Sequence, residues 1–199
     1  MQKSRCPKLS IIASLLLSTT AGLSAQAAPG ITWKLAFLKW GAKDFVAMPF
    51  SRPLAMTDGD KFQVRIQDVN TPAYCYVLYN SADGKVASLF QSSLQPSKAL
   101  SLPSEKESFQ VSPPDGAEKI FVIVTAERQA PLEKLLQSPD NVQAILDEVA
   151  RIRQSTSSLG EAPEKPAPIG GVTRGRNSSV QATEYDGQSS YVKTIRIEH

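Results

Sequence analysis

The stretch from Tyr74 to Phe90, YCYVLYNSADGKVASLF, constrains the fold of this chain more than any other feature. Two runs of aromatic and branched residues flank a turn segment in which Asp83 precedes Gly84. Because an Asp-Gly pair readily adopts the left-handed conformations of a tight reversal, the stretch predicts an antiparallel β-hairpin. The first run, Tyr74–Tyr79, lacks alternating polar residues, which indicates a central strand covered on both faces.

Other short strands on both sides of the hairpin predict a β-rich fold. Ile31–Trp40 is rich in aromatic and branched residues, and Lys61–Val69 alternates between apolar and polar residues, which predicts one face in water. Lys119–Thr125 is apolar throughout and predicts a second central strand. Shorter candidates lie at Lys98–Leu102 and Phe109–Val111. This pattern predicts a mainly β fold, either an antiparallel β-sandwich or a partly open barrel.

One amphipathic helix is predicted near the C-terminal third of the chain. Ser138, Pro139 and Asp140 are typical of the start of a helix. Apolar residues then recur at spacings of three and four from Val142 to Ile152, which predicts one apolar helix face. We therefore expect residues 28–154 to form one β-rich domain that ends in this helix.

The remaining C-terminal residues divide into two parts. Residues 155–190 are rich in glycine, proline and serine, which predicts a flexible linker because few large apolar side chains offset the entropy of ordering. Residues 191–199 hold a closing strand, half-buried at an edge, with Ile195 and Ile197 on one face. We expect this strand to pair within its own chain; the alternative is addition to a partner or to a second copy.

Residues 1–27 predict export. Three basic residues precede an apolar run that is too short for a stable membrane span, and Ala25 and Ala27 supply the small residues of a cleavage site. We expect cleavage of a signal peptide near Ala27 and a periplasmic or secreted mature protein without a stable membrane span.

Cleavage would change both the charge and the cysteine content. It removes three of the 22 basic residues and none of the 19 acidic residues, so the mature chain is formally neutral. Such a chain, without a concentrated basic region, does not predict nucleic-acid binding. Cys75 would be the only remaining cysteine, which excludes an intramolecular disulfide. Inside a strand it is expected to be a small buried residue, with a reactive thiol or an intermolecular bridge as alternatives.

Three motifs occur in a fixed order between Gly59 and about Leu136. An alternating strand follows Gly59-Asp60, the aromatic hairpin comes next, and FQVSPPDGAEKIFVIVTAE places an apolar strand after a proline-glycine turn. This order resembles the bacterial domain-of-unknown-function 4384 family, although Gln91 stands where that family typically has a proline. The resemblance implies an exported β-rich module and carries no catalytic residue.

The chain offers little chemistry for catalysis. His199 is its only histidine and, at the last position of the sequence, is expected to be solvated and unable to serve in a Ser-His-Asp or Cys-His site. No pair of ligands has the spacing of a zinc site, and Asp58 and Asp60 fit turn chemistry better than calcium binding. We therefore predict no catalytic residue, no metal ligand and no cofactor.

The candidate interaction residues lie on two strands. Tyr74 and Tyr76 share one strand face while Tyr79 lies on the other, which excludes a platform of three tyrosines. The hairpin is predicted to be mainly structural, with Asp83 and Gly84 in its turn. Tyr74 and Tyr76 are nevertheless candidates for contact with a partner. Ile195 and Ile197 of the last strand are candidates as well.

Two classes of function fit these features. The first is a non-enzymatic protein-interaction or accessory module of the bacterial cell envelope, whose partner is another envelope or secretion protein. The alternative is an envelope hydrolase that acts on glycan through a carboxylate pair. A surface-exposed structural protein is a third hypothesis.

Overall fold

The computed structural model describes residues 30–138, 140–156, 165–168 and 181–199. The predicted signal peptide and much of the predicted linker lie outside these residues. The elements in the described part are strands β1 Ile31–Trp40, β2 Phe45–Met48, β3 Leu54–Ala55, β4 Lys61–Gln67, β5 Ala73–Asn80, β6 Val86–Leu94, β7 Leu100–Leu102, β8 Phe109–Gln110, β9 Ala117–Thr125, β10 Lys165–Pro168, β11 Gln181–Gln188 and β12 Ser190–Glu198, with helices α1 Ala130–Leu136 and α2 Val142–Thr156.

The strands form two sheets that pack face to face. Sheet A has the order β10-β11-β1-β4-β7, with β2 paired to β1 and β8 paired to β4. Sheet B has the order β3-β12-β9-β5-β6. Neighbouring strands are antiparallel except β3 and β12, which are parallel. The sheets do not close into a barrel, so the mainly β prediction is confirmed in its sandwich form.

The main core lies between the sheets. Phe37 and Val64 from sheet A and Val77 and Val122 from sheet B are fully buried in one hydrophobic cluster. Period-two alternation directs such residues to the same side of each strand. Burial of large aliphatic side chains contributes roughly 1.5–3 kcal/mol each, so this interface is the main source of stability.

The two helices cover the outer face of sheet B. Ile145 and Val149 of α2 are buried in a second cluster with Tyr76 and Leu78 of β5. Strands β5 and β9 are therefore covered on both faces, as their continuous apolar runs predict, and they are neighbours in the sheet. Helix α2 begins at Val142, and the shorter helix α1 precedes it.

The polar face of β4 differs from the prediction. Its alternation predicts that Gln63 and Gln67 face water, yet they are only 2% and 8% exposed. The loop after β7 covers Gln63, whose side-chain amide donates a hydrogen bond to the Ser104 carbonyl oxygen at 2.9 Å. A loop that supplies carbonyl acceptors can bury a polar strand face without leaving its amides unpaired.

The closing strand docks within its own chain. Strand β12 pairs with β9 from Ser190 to Glu198, and Ile195 and Ile197 are fully buried in the main core. Strand β3 pairs with β12 only at Ile197 and Glu198, the last two residues of β12. The structure also places β10 and β11 within residues 155–190, whose composition predicts a flexible linker.

In the part of the chain that the structure describes, neither helix has the length and apolar character needed to cross a membrane.

Candidate functional site

The predicted turn residues form the tip of the β5–β6 hairpin. Gly84 has φ of 81°, a left-handed conformation that favours glycine, and its N–H donates to the Ser81 carbonyl oxygen at 2.9 Å. The Asp83 carboxylate accepts a hydrogen bond from Lys85 Nζ at 2.6 Å, which lowers the pKa of Asp83 to about 2. Asp83 and Gly84 therefore lie in the reversal and stabilise it.

Three of the four candidate interaction residues lie in the interior. Tyr76 is 1% exposed, and Ile195 and Ile197 are fully buried. The Tyr76 hydroxyl donates to Glu133 Oε1 at 2.8 Å and accepts from the Gln129 N–H at 2.9 Å. Burial raises the pKa of Tyr76 to about 12. These contacts tie β5 to the start of α1, so Tyr76 has a structural role in this conformation.

Tyr74 is the candidate that reaches the surface. It is half-buried and lines a depression with a volume of about 240 Å³. The depression lies between the outer face of sheet B and α1, and its lining residues are Tyr74, Tyr76, Gln91, Ser92, Ser93, Arg128 and Glu133. Hydroxyl, amide and charged groups dominate this lining, so the depression suits a polar group.

An ion pair at the depression fixes its electrostatics. Arg128 Nε donates to Glu133 Oε2 at 2.7 Å, and this hydrogen bond lowers the pKa of Glu133. The Glu133 side chain is 10% exposed, whereas that of Arg128 is 65% exposed. The Glu133 carboxylate is thus held charged within the protein. The Arg128 guanidinium presents its remaining hydrogen-bond donors to solvent.

Strand β6 forms one wall of the depression and is an edge strand of sheet B. Within the described residues, its outer edge has no strand partner. Exposed edges are usually protected by charged side chains or proline. Strand β6, with the sequence VASLFQSSL, contains neither. A bulge interrupts its pairing at Leu89, and Phe90–Leu94 then pairs regularly with β5. Beyond this bulge, the regular segment has neither a charged side chain nor a proline, and among the described residues no strand pairs with its outer edge.

A second cluster of polar side chains surrounds His199. Its Nδ1 lies 3.7 Å from Asp58 Oδ1 and 3.9 Å from Asp115 Oδ1, and its Nε2 lies 3.4 Å from Glu118 Oε1. The His199 side chain is only 1% exposed, so the expectation of a solvated histidine is wrong. Two backbone hydrogen bonds with Gly116, at 2.8 and 3.2 Å, hold the residue in place.

Sequence reasoning missed this cluster because its members come from three separate turns and strand ends. Asp58 follows β3, Asp115 precedes β9, and His199 follows β12. Their separations in sequence match no ligand motif. Pairing of β12 with both β9 and β3 brings them together, and that pairing is a property of the tertiary fold.

The fold and the edge surface define a class: a two-sheet β-sandwich with a helical layer on one sheet and an edge strand, β6, whose outer edge has no strand partner among the described residues. The family model described as "Domain of unknown function (DUF4384)" matches residues 55–128. The resemblance seen in the sequence is therefore confirmed over this segment of the chain. It contains β4 to β9, including the edge strand β6. Comparison of the chain with curated proteins and with solved structures gave no match.

Proposed function

We propose that this protein is a non-enzymatic interaction module that binds an extended segment of a partner protein at the edge of β6. The observation that carries this proposal is the regular, uncharged and proline-free edge segment Phe90–Leu94 beside a polar depression. In strand addition, main-chain hydrogen bonds supply affinity, and pockets for alternate side chains supply specificity.

The register of β6 supports this mode of binding. Gln91 is paired with Tyr76 and Ser93 with Tyr74, so both lie on the sheet face that bears the depression. An added strand would therefore direct every second side chain toward that depression. The exposed guanidinium of Arg128 favours a partner side chain with a carboxylate or an amide oxygen there.

The hydrolase alternative has less support at the depression beside β6. A glycosidase of the usual kind needs two carboxyl groups that flank the scissile bond. The depression has one acid in its lining, Glu133, and that acid is ion-paired with Arg128. This arrangement suits recognition of a polar group better than proton transfer by a pair of acids.

The proposed site of action is the bacterial envelope, with another envelope or secretion protein as the partner. This part of the proposal rests on the order of basic, apolar and small residues in 1–27. Intact-mass analysis of protein from cell fractions should find a mature form that begins at Ala28, within a residue or two. A full-length form in the cytosol at steady state would contradict export.

Binding at the β6 edge is tested with Ser92→Lys. A lysine on an edge strand opposes pairing with another strand, and Ser92 is exposed, so the fold should tolerate it. The probe is a displayed library of random heptapeptides selected on the unmodified protein. We expect selected peptides to lose about tenfold or more of their affinity for the Ser92→Lys protein, a change of about 1.4 kcal/mol or more.

Ser51→Lys is the matched control, because Ser51 is an exposed serine in a loop away from β6. Peptides should bind this variant as they bind the unmodified protein. Selection of no peptide, or equal binding by both variants, would overturn the proposal. The unmodified protein could instead bind no peptide and self-associate, with Ser92→Lys abolishing that self-association. The strand added at β6 would then come from a second copy of this chain and not from a partner protein.

A further inference from the structure

The region where β12 ends brings together three side chains that can ligate a metal. His199 offers an imidazole nitrogen, and Asp58 and Asp115 each offer a carboxylate oxygen. These three ligand atoms all lie within 4.8 Å of one another. We propose that they bind a divalent transition-metal cation of the zinc type, a site independent of the β6 edge.

The distances suit a tetrahedral ion. Zinc binds nitrogen and oxygen ligands at roughly 2.0–2.2 Å, which places tetrahedral ligand atoms about 3.4 Å apart. Nδ1 of His199 is 3.7 Å from the Asp58 oxygen and 3.9 Å from the Asp115 oxygen. Both aspartate side chains are exposed, at 53% and 79%, so small rotations can close these gaps. The fourth position would face solvent and hold a water molecule.

The state of His199 points to a ligand independently of the two acids. Its side chain is 1% exposed, yet neither ring nitrogen makes a hydrogen bond. A buried polar group without a hydrogen-bond partner destabilises the folded state. A cation on Nδ1 would satisfy the nitrogen that points toward Asp58 and Asp115.

The other ring nitrogen faces a supporting carboxylate. Nε2 lies 3.4 Å from Glu118 Oε1, and the Glu118 side chain is 6% exposed. Glu118 also accepts a hydrogen bond from the Tyr79 hydroxyl. Metal-ligating histidines commonly donate their second N–H to a carboxylate, which orients the ring and increases its basicity. Glu118 is in the position to do this.

The backbone holds the ligands on fixed supports. His199 and Gly116 exchange two backbone hydrogen bonds, which place Asp115 beside the imidazole. The Met56 N–H donates to the Glu198 carbonyl oxygen at 2.9 Å and brings the turn that carries Asp58 to the same place. The three ligands are therefore positioned by strand pairing.

The ligand set favours one class of cation. Calcium and magnesium prefer sites made of oxygen ligands alone, whereas an imidazole nitrogen suits zinc and its neighbours in the first transition row. The competing arrangement is an imidazolium ion paired with the surrounding carboxylates, without any metal. The two arrangements differ in how stability responds to zinc.

The test uses the full chain as expressed, without an added histidine tag and stripped of metal by chelation. Calorimetric titration should find one Zn²⁺ per chain, a raised melting temperature with Zn²⁺, and no comparable effect of Ca²⁺. Asp115→Asn should weaken Zn²⁺ binding about tenfold or more, and Glu118→Gln should weaken it about 10–100-fold. Asp44→Asn, at an exposed aspartate in the β1–β2 turn, is the matched control and should bind like the unmodified protein.

Asp58→Asn provides a second ligand variant, and circular dichroism of the metal-free forms checks that each variant is folded. Absence of Zn²⁺ binding by the unmodified protein would overturn the proposal. Unchanged binding by both folded aspartate variants would overturn it too, since the ion would then lie elsewhere. Loss of metal-free stability in these variants, with no effect of Zn²⁺ on any form, would establish the ion-paired imidazolium instead.

Discussion

A chain that ends after Gly160 is expected to lose its stable fold. This truncation removes β12, which pairs with β9 along its whole length, and β11, which pairs with β1. It takes the buried side chains of Tyr191, Ile195 and Ile197 out of the main core. Each such side chain contributes roughly 1.5–3 kcal/mol, while the whole domain is stable by about 5–15 kcal/mol.

Truncation would also expose the edge of β9. The run from Lys119 to Thr125 is rich in β-branched residues, and an exposed edge of this kind associates with other chains. We expect thermal melting followed by circular dichroism to show no cooperative transition for the truncated chain. Sedimentation should show association.

Point substitutions in the full chain separate the role of β12 from other effects of truncation. Ile195→Ala should lower the free energy of unfolding by about 2–5 kcal/mol. Arg196→Ala, at the exposed neighbouring position, should change it by about 0.5 kcal/mol or less. A truncated chain that melts like the full protein and stays monomeric would show that β12 is free to serve a partner instead.

The strands that could be predicted are those whose burial leaves a local pattern. The bounds of β1 match the run Ile31–Trp40, and the two runs apolar on both sides, in β5 and β9, are the covered central strands of sheet B. Two-sided burial requires a continuous apolar run, and such a run is visible without knowledge of the partner strands.

Strand β11 shows why other parts could not be predicted. Its sequence, QATEYDGQ, has little intrinsic preference for a strand. It is held by pairing with β1, and its Tyr185 ring stacks on Trp33 with centroids 4.6 Å apart. Such a strand depends on a distant partner, so the composition of residues 155–190 indicates a linker instead.

The candidate sites also differ in whether a local sequence pattern reveals them or only the tertiary fold does. The hairpin that carries β6 has a strong local pattern, but the openness of its edge depends on the order of strands in the sheet. The cluster around His199 has no local pattern at all. His199 becomes buried here because β12 pairs beside β9 and meets β3.

The segment that matches the family does not account for the whole sandwich. Residues 55–128 supply strands to both sheets, but β1, β11 and β12 lie outside them. The aromatic cluster of Trp33, Tyr185 and Tyr191 is built entirely from these three strands outside the matched segment. Trp33 and Tyr191 have ring centroids 5.9 Å apart, so the cluster links sheet A to sheet B. Residues outside the matched segment thus complete the core.

The helical layer has a comparable role on the other side of sheet B. Ile145 is fully buried against a cluster that includes Phe121 and Ile123 of β9. Ile145→Ala is expected to lower the free energy of unfolding by about 2–5 kcal/mol, because it removes buried methyl groups and leaves a cavity between α2 and the sheet. Urea unfolding followed by tryptophan fluorescence and by circular dichroism measures this change.

Asp147→Ala is the control on the same helix. Asp147 is exposed and accepts one hydrogen bond, from Gln143 Nε2 at 2.8 Å, so its removal should cost about 0.5 kcal/mol or less. Helix α2 also packs on α1, which carries Glu133 of the depression beside β6. A loosened α2 should therefore weaken peptide binding at β6 as well as stability. Equal unfolding midpoints for the two variants would show that α2 does not stabilise sheet B.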